Sequence, residues 1–295
     1  MGRKGTTVSR MKMKSIILLW IFIPLLSSGQ GTPARTGKQK SGIKNGILNK
    51  ATEQYDHCWK GFIGSGIPVF IHFCSHSIRY GKYGNIVSGE IIYLNTKKQQ
   101  PIPLIGYTDS GKHFILSEYA KDGAVTGIIY ANADKETLKG TWSKPSSEKT
   151  YILQLKACDT LIRSQDITTN PEDIFGNYYY RYGEKGYSGE LKLRKINDQI
   201  ALFYMFSVTS APARNMADLI DNDTIPIPAA TFTYKVPDTD GCRIKVQFFK
   251  QFVVVSYPDE DACRNAFGHN ATYEGIYYKV PLLPGKKRTD RNKNF

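Results

Sequence analysis

Five tyrosines, Tyr178, Tyr179, Tyr180, Tyr182 and Tyr187, crowd one short stretch of the chain, with Arg181 among them. A phenol offers a flat apolar face and a hydroxyl that both donates and accepts. Such rings suit sugars or the surfaces of other proteins. On a strand, alternation puts Tyr178, Tyr180 and Tyr182 on one face and Tyr179 with Arg181 on the other. Cross-strand aromatic packing that only stiffens a sheet would use the same residues. His269 beside Asn270, next to Gly268, is a polar constellation of another kind, or else a solvated turn. Tyr178, Tyr180, Tyr182, Tyr187, His269 and Asn270 are therefore the candidate ligand contacts.

Other side chains could in principle support known chemistries. His72, Cys74 and His76 alternate, so on a strand all three point one way, with His57 and Cys58 close in sequence. Imidazole and thiolate at that spacing could hold zinc or copper, but no recognised ligand motif surrounds them, and no metal or cofactor is expected. Glu90 and Glu190 could form a carboxylate pair for glycoside hydrolysis. Each, however, sits at the same place in one of two similar stretches, so repetition accounts for them. The chain has no nucleophile elbow, no His-Glu-x-x-His and no phosphate loop. No catalytic residue is assigned.

The similar stretches are Arg79-Tyr80-Gly81 with Ser88-Gly89-Glu90, and Arg181-Tyr182-Gly183 with Ser188-Gly189-Glu190. Each reads as a tyrosine-bearing strand, a glycine turn and a second strand opening on Gly-Glu, the mark of two tandem β modules. The first, over 53–160, shows period-two runs such as Ile67, Val69, Ile71 and Phe73. Further strands are expected at 86–93, 102–105, 113–118, 124–130, 138–142 and 151–155. Short strands at even spacing, with turn residues between them, predict an antiparallel, lipocalin-like meander closed into a barrel or sandwich. The second module, over 171–281, continues in the same manner. One break occurs where Ser210-Ala211-Pro212 precedes Met216, Leu219 and Ile220 at helical spacing, which predicts one short helix over 211–221.

Of the five cysteines, Cys242 and Cys263 bracket two strand-like runs, and a disulfide joining the outer ends of that hairpin is expected. Cys58, Cys74 and Cys158 leave one further pair and one thiol, with the pairing open.

The formal charge of +14 looks like a nucleic-acid signal, but its distribution argues otherwise. Ten basic residues and no acid lie in residues 1–50, and five basic residues and one acid lie in 286–295, which leaves 25 of each sign between them. A neutral folded part offers no basic face, so no nucleic-acid partner is expected. The basic start, the apolar run over 16–26 and the small residues Ser27-Ser28-Gly29 form a secretory signal pattern, with cleavage expected after Gly29. That run is shorter than the roughly twenty residues a bilayer span needs, so no membrane span is expected in the mature chain. Residues 30–52 read as a disordered basic linker and 282–295 as a basic tail.

The pattern Trp59-x-Gly61-x-Ile63-Gly64, Pro68-Val69-x-Ile71-x-Phe73, Val87-x-Gly89-x-Ile91-x-Tyr93 and Leu138-x-Gly140-Thr141-Trp142 resembles uncharacterised secreted bacterial β-repeat proteins. The resemblance implies architecture and an exported bacterial protein, and carries no activity. The cysteine-flanked strand pair, Asn265–Ala271, and Glu274-Gly275-Ile276-Tyr277 are similar to the closing strands of small secreted barrels, some of them lysozyme inhibitors; the inhibitory loop of those proteins is not evident here.

Together these readings predict an all-β, exported, periplasmic or extracellular binding protein without enzymatic activity. Its expected ligand is a cell-envelope glycan or a protein. The alternatives are a carrier of lipid or another hydrophobic ligand within the barrel of the second module, hinted at by large apolar residues on both faces of 200–206, and a hydrolase of envelope polymers.

Overall fold

A computed structural model of the chain describes residues 54–145, 147–219 and 222–281. The expected signal segment, linker and basic tail lie outside the described residues. The first eight strands are β1 (His57–Ile63), β2 (Ile67–Tyr80), β3 (Gly84–Tyr93), β4 (Ile102–Thr108), β5 (His113–Tyr119), β6 (Val125–Ala133), β7 (Thr137–Ser143) and β8 (Thr150–Ala157). Each pairs antiparallel with the next, and β8 returns to β1, closing a barrel. Alternation explains its interior. Trp59, Ile71, Phe73, Leu104, Leu116, Ile129 and Leu153 point inward and are buried together. An eight-stranded barrel is only wide enough for side chains to fill it, and these fill it.

Among the described residues the second module has nine strands: β9 (Gly176–Arg181), β10 (Ser188–Lys195), β11 (Ile200–Val208), β12 (Met216–Asp218), β13 (Asp223–Pro226), β14 (Thr231–Lys235), β15 (Arg243–Phe248), β16 (Phe252–Ser256) and β17 (Gly275–Val280). They form one curled antiparallel sheet in the order β12-β11-β10-β9-β17-β16-β15-β14, with β13 also pairing β11. The all-β, two-module reading is thus realised as a closed barrel and a half-barrel. The Cys242–Cys263 disulfide is formed and ties the approach to β15 to the turn after β16.

The expected helix over 211–221 is not there. Residues 211–213 form a turn, Arg214 takes a positive φ of 53°, and β12 then pairs with β11. A left-handed residue interrupts a helix. Pairing satisfies the open edge of β11, whereas a lone helix of that length is marginal in water. Ala217 and Leu219 are buried while Met216 is 57% exposed, a period of two and not of 3.6. Ile220 and Asp221 lie outside the described residues.

The two copies of the repeated stretch fall on equivalent hairpins. Each Ser-Gly-Glu glycine lies opposite an aromatic ring on the neighbouring strand, Gly89 opposite Phe73 and Gly189 opposite Tyr180. A Cβ on Gly189 would lie 2.4 Å from the Tyr180 ring, so the ring occupies the space that the glycine leaves.

The modules are not beads on a string. Tyr80, Ile86, Ile105, Tyr119 and Val125 project from the outside of the barrel into the same apolar cluster as Tyr178, Tyr180, Leu191 and Tyr277. The Tyr119 hydroxyl donates to the Ile276 carbonyl at 2.9 Å, and its ring stacks on Tyr278 with centroids 5.5 Å apart. Asp122, in the β5–β6 turn, meets Arg181 of β9 at 3.2 Å.

Candidate functional site

Where the outer face of the barrel meets the second sheet, a tyrosine-lined cleft of about 370 Å³ remains open. Alternation builds the barrel's side of it. Ile105 and Tyr107 on β4, Ser117 on β5 and Tyr130 on β6 lie on the opposite side of their strands from the filled interior. Tyr80, at the end of β2, and Tyr83, in the single helical turn after it, add two more rings. The second module contributes Tyr180, Tyr182, Tyr187, Thr272 and Glu274.

The rings brace one another. Tyr80, Tyr83 and Tyr107 form a triangle with centroids 4.8, 5.5 and 5.2 Å apart, and Tyr180 meets Tyr182 edge-on at 5.8 Å. Their mutual packing fixes the faces and edges turned to the cleft. Tyr130 and Tyr187 are about half exposed and stand at its mouth. Burial raises the pKa values of Tyr80, Tyr83, Tyr107 and Tyr182, so these groups stay neutral phenols.

Among the described residues, Glu274 is the one charged group in the lining. It accepts a hydrogen bond from the Tyr83 hydroxyl at 3.0 Å. Burial raises its pKa, opposed by that bond and by the charge of Lys82. Lys82 itself pairs with Glu260 at 2.6 Å. No described Lys, Arg or His lines the cleft.

The sequence-predicted contacts divide. Tyr180, Tyr182 and Tyr187 come together in the cleft. Tyr178 shares their face but is fully buried, donating to the Ile174 carbonyl at 2.7 Å and packing on Phe248. His269 and Asn270 lie apart from the cleft, in a loop held to β12 where Asn215 donates to the His269 carbonyl at 2.7 Å. Sequence reasoning missed Tyr80, Tyr83, Tyr107, Tyr130 and Glu274. One signal was available: Tyr80 and Tyr182 hold the same place in the repeated Arg-Tyr-Gly, and the two copies face one cleft from opposite modules.

A second polar cluster lies on the outside of β1, β2 and β3. His72, Cys74 and His76 do point one way, as alternation predicts, but they engage different partners. His72 Nδ1 lies 2.7 Å from Asp56 and Nε2 lies 3.3 Å from Glu90. His76 Nε2 lies 2.8 Å from the Ser88 hydroxyl and 3.5 Å from Cys74 Sγ. Among the described residues, no group of three or more His, Cys, Asp or Glu is placed to hold a metal ion. Glu190 is engaged by Tyr179 and Lys192, in the other module from Glu90.

No family model, curated protein or solved structure matches the chain.

Proposed function

We propose that the protein is a non-enzymatic binding protein and that the tyrosine cleft between its modules takes a glycan. The single observation that carries the reading is the lining itself: braced, neutral phenols with Ser117 and Thr272 among them, and a single carboxylate. A sugar ring has apolar C–H faces and a rim of hydroxyls. Phenols match both, stacking on the faces and exchanging hydrogen bonds with the rim. With Glu274 present and no cation among the described lining residues, a neutral or amine-bearing glycan fits and an acidic one is repelled.

Hydrolysis of a glycosidic bond ordinarily uses two carboxylates flanking it, and the described residues of this lining supply one. The second module is an open curled sheet whose buried face is filled by Leu191, Phe203, Met205, Val246 and Tyr277, which favours the cleft over a lipid site inside that module. Work outside the cytoplasm is supported by the Cys242–Cys263 disulfide and by the secretory pattern of the first residues. Envelope glycans are then the ligands within reach.

Titration calorimetry with neutral, amino-bearing and acidic oligosaccharides tests the proposal. Binding of a neutral or amino-bearing glycan is expected, with affinity reduced about tenfold or more in Tyr182→Ala through loss of a stacking face. Tyr178→Phe should leave affinity unchanged. Failure to bind any of the three classes, or full affinity in both Tyr182→Ala and Tyr107→Ala, would remove the cleft as the site.

A further inference from the structure

Outside the Cys242–Cys263 bond, Cys58, Cys74 and Cys158 are free thiols in this structure, and the Cys58 thiol donates to the Asp56 carbonyl at 3.7 Å. Cys58 lies on β1 and Cys74 on β2, both on the outer face of the barrel, Cys158 directly follows β8, and strand register sorts them. Strands β1 and β8 pair with Trp59 opposite Ala157. One step further along this antiparallel pair sets Cys58 opposite Cys158, and the Cys158 N–H donates to the Cys58 carbonyl at 3.0 Å. Residues directly opposite share a face, with Cβ atoms about 4.5–5.5 Å apart and Cα atoms about 5.5 Å apart. That Cα spacing lies inside the range a disulfide spans.

The alternatives fit less well. Across β1 and β2, Cys58 stands opposite His72, so Cys74 is a diagonal neighbour, with Cα atoms about 7–8 Å away, at or beyond a disulfide's reach. Cys74 and Cys158 are separated by the full width of β1. We infer that Cys58 and Cys158 form a second disulfide, which locks the seam of the barrel and leaves Cys74 as the single thiol.

The bond would also fasten the start of the connection between the modules. Residues 159–165 turn back over the seam, where Asp56 N–H donates to the Ile162 carbonyl and Ser164 N–H to the Gln54 carbonyl, both at 2.9 Å. This strap leads to the second module, so the cross-link fixes its origin as well as the barrel. Burial first, and the neighbouring Cys158 second, push the Cys58 thiol up to about 11, so Cys158, the more exposed sulfur, is the one that first meets an oxidant. That oxidant is a disulfide donor. The Cys158 thiolate attacks it and releases one thiol; Cys58 then displaces the second donor sulfur from the mixed disulfide. The two cysteines lose two electrons and two protons, and the donor leaves as two thiols.

The test uses the full chain, exported from a bacterial host or refolded in a mixture of oxidised and reduced glutathione. It is denatured without reductant, alkylated with iodoacetamide, and weighed and mapped by mass spectrometry. The expected result is one adduct, on Cys74, with the peptides of Cys58 and Cys158 linked, and no adduct in Cys74→Ser. Three adducts, a bond from Cys74 to either partner, or a link between two chains would overturn the inference. The double variant Cys58→Ser/Cys158→Ser, with the other disulfide intact, should melt about 5–15 °C lower, because a long closed loop is released in the unfolded chain. The thiol count stands whatever the cleft binds, and survives an inability of the variant to fold.

Discussion

Single residues in this protein carry unequal burdens, and Glu118 shows why. This residue is only 2% exposed, on the inward face of β5. It accepts hydrogen bonds from the Tyr93 hydroxyl at 2.7 Å, Trp142 Nε1 at 2.6 Å and the Thr126 hydroxyl at 3.3 Å. Burial raises its pKa, and those three bonds hold part of the rise back. A carboxyl whose folded pKa lies above the unfolded one adds stability below the unfolded pKa. That contribution is lost as pH rises through the folded value. Glu118→Gln keeps an acceptor but does not titrate. Urea melts between about pH 4 and pH 8 should therefore fall less steeply toward neutral pH in the variant than in the parent. An unchanged slope would mean that the carboxyl does not titrate differently on folding. Glu118→Leu strands three donors and should destabilise by about 3 kcal/mol or more.

Among the elements, β12 is the informative one. The spacing of Met216, Leu219 and Ile220 matches a helix, yet the chain uses Ala217 and Leu219 as an inward row beside β11. The two readings separate experimentally. Ala217→Lys places a charge among buried neighbours and should cost about 2–4 kcal/mol, whereas Met216→Lys should stay within about 0.5 kcal/mol. Chemical denaturation of both variants checks this, and equal losses would return Met216 to an inward face. The strands were legible because a period of two with turn residues between is a local property. The edge that recruits β12 was not, since an open row of backbone groups on β11 exists only once β11 is in the sheet.

At the scale of the whole molecule, the two modules share one apolar cluster, and the cleft is what their docking leaves open. The full chain should therefore unfold in one calorimetric transition, with equal calorimetric and van't Hoff enthalpies. Two resolved transitions would mean that the modules are energetically separate. Gly123 tests the docking directly. It has a φ of 80°, and a Cβ there would lie 2.7 Å from that of Tyr179 in the other module. Gly123→Ala should lower the melting temperature of the whole chain by several degrees, through strain and a forced separation of the modules.

The alternation of apolar residues, the spacing of turns and the cysteines flanking the last hairpins were enough to determine the all-β class, the two modules and the Cys242–Cys263 bond. They also put Tyr180 and Tyr182 on one face, because a strand's two faces follow from chain geometry alone. Only the tertiary structure decided that Tyr178 is core while its face-mates line a cleft, and that Tyr80, Tyr83, Tyr107 and Tyr130 join them. Exposure along one strand depends on what packs over each part of it. Here that cover comes from residues distant in the chain, Phe248 and Lys279 over Tyr178, and no local pattern encodes contacts at that distance.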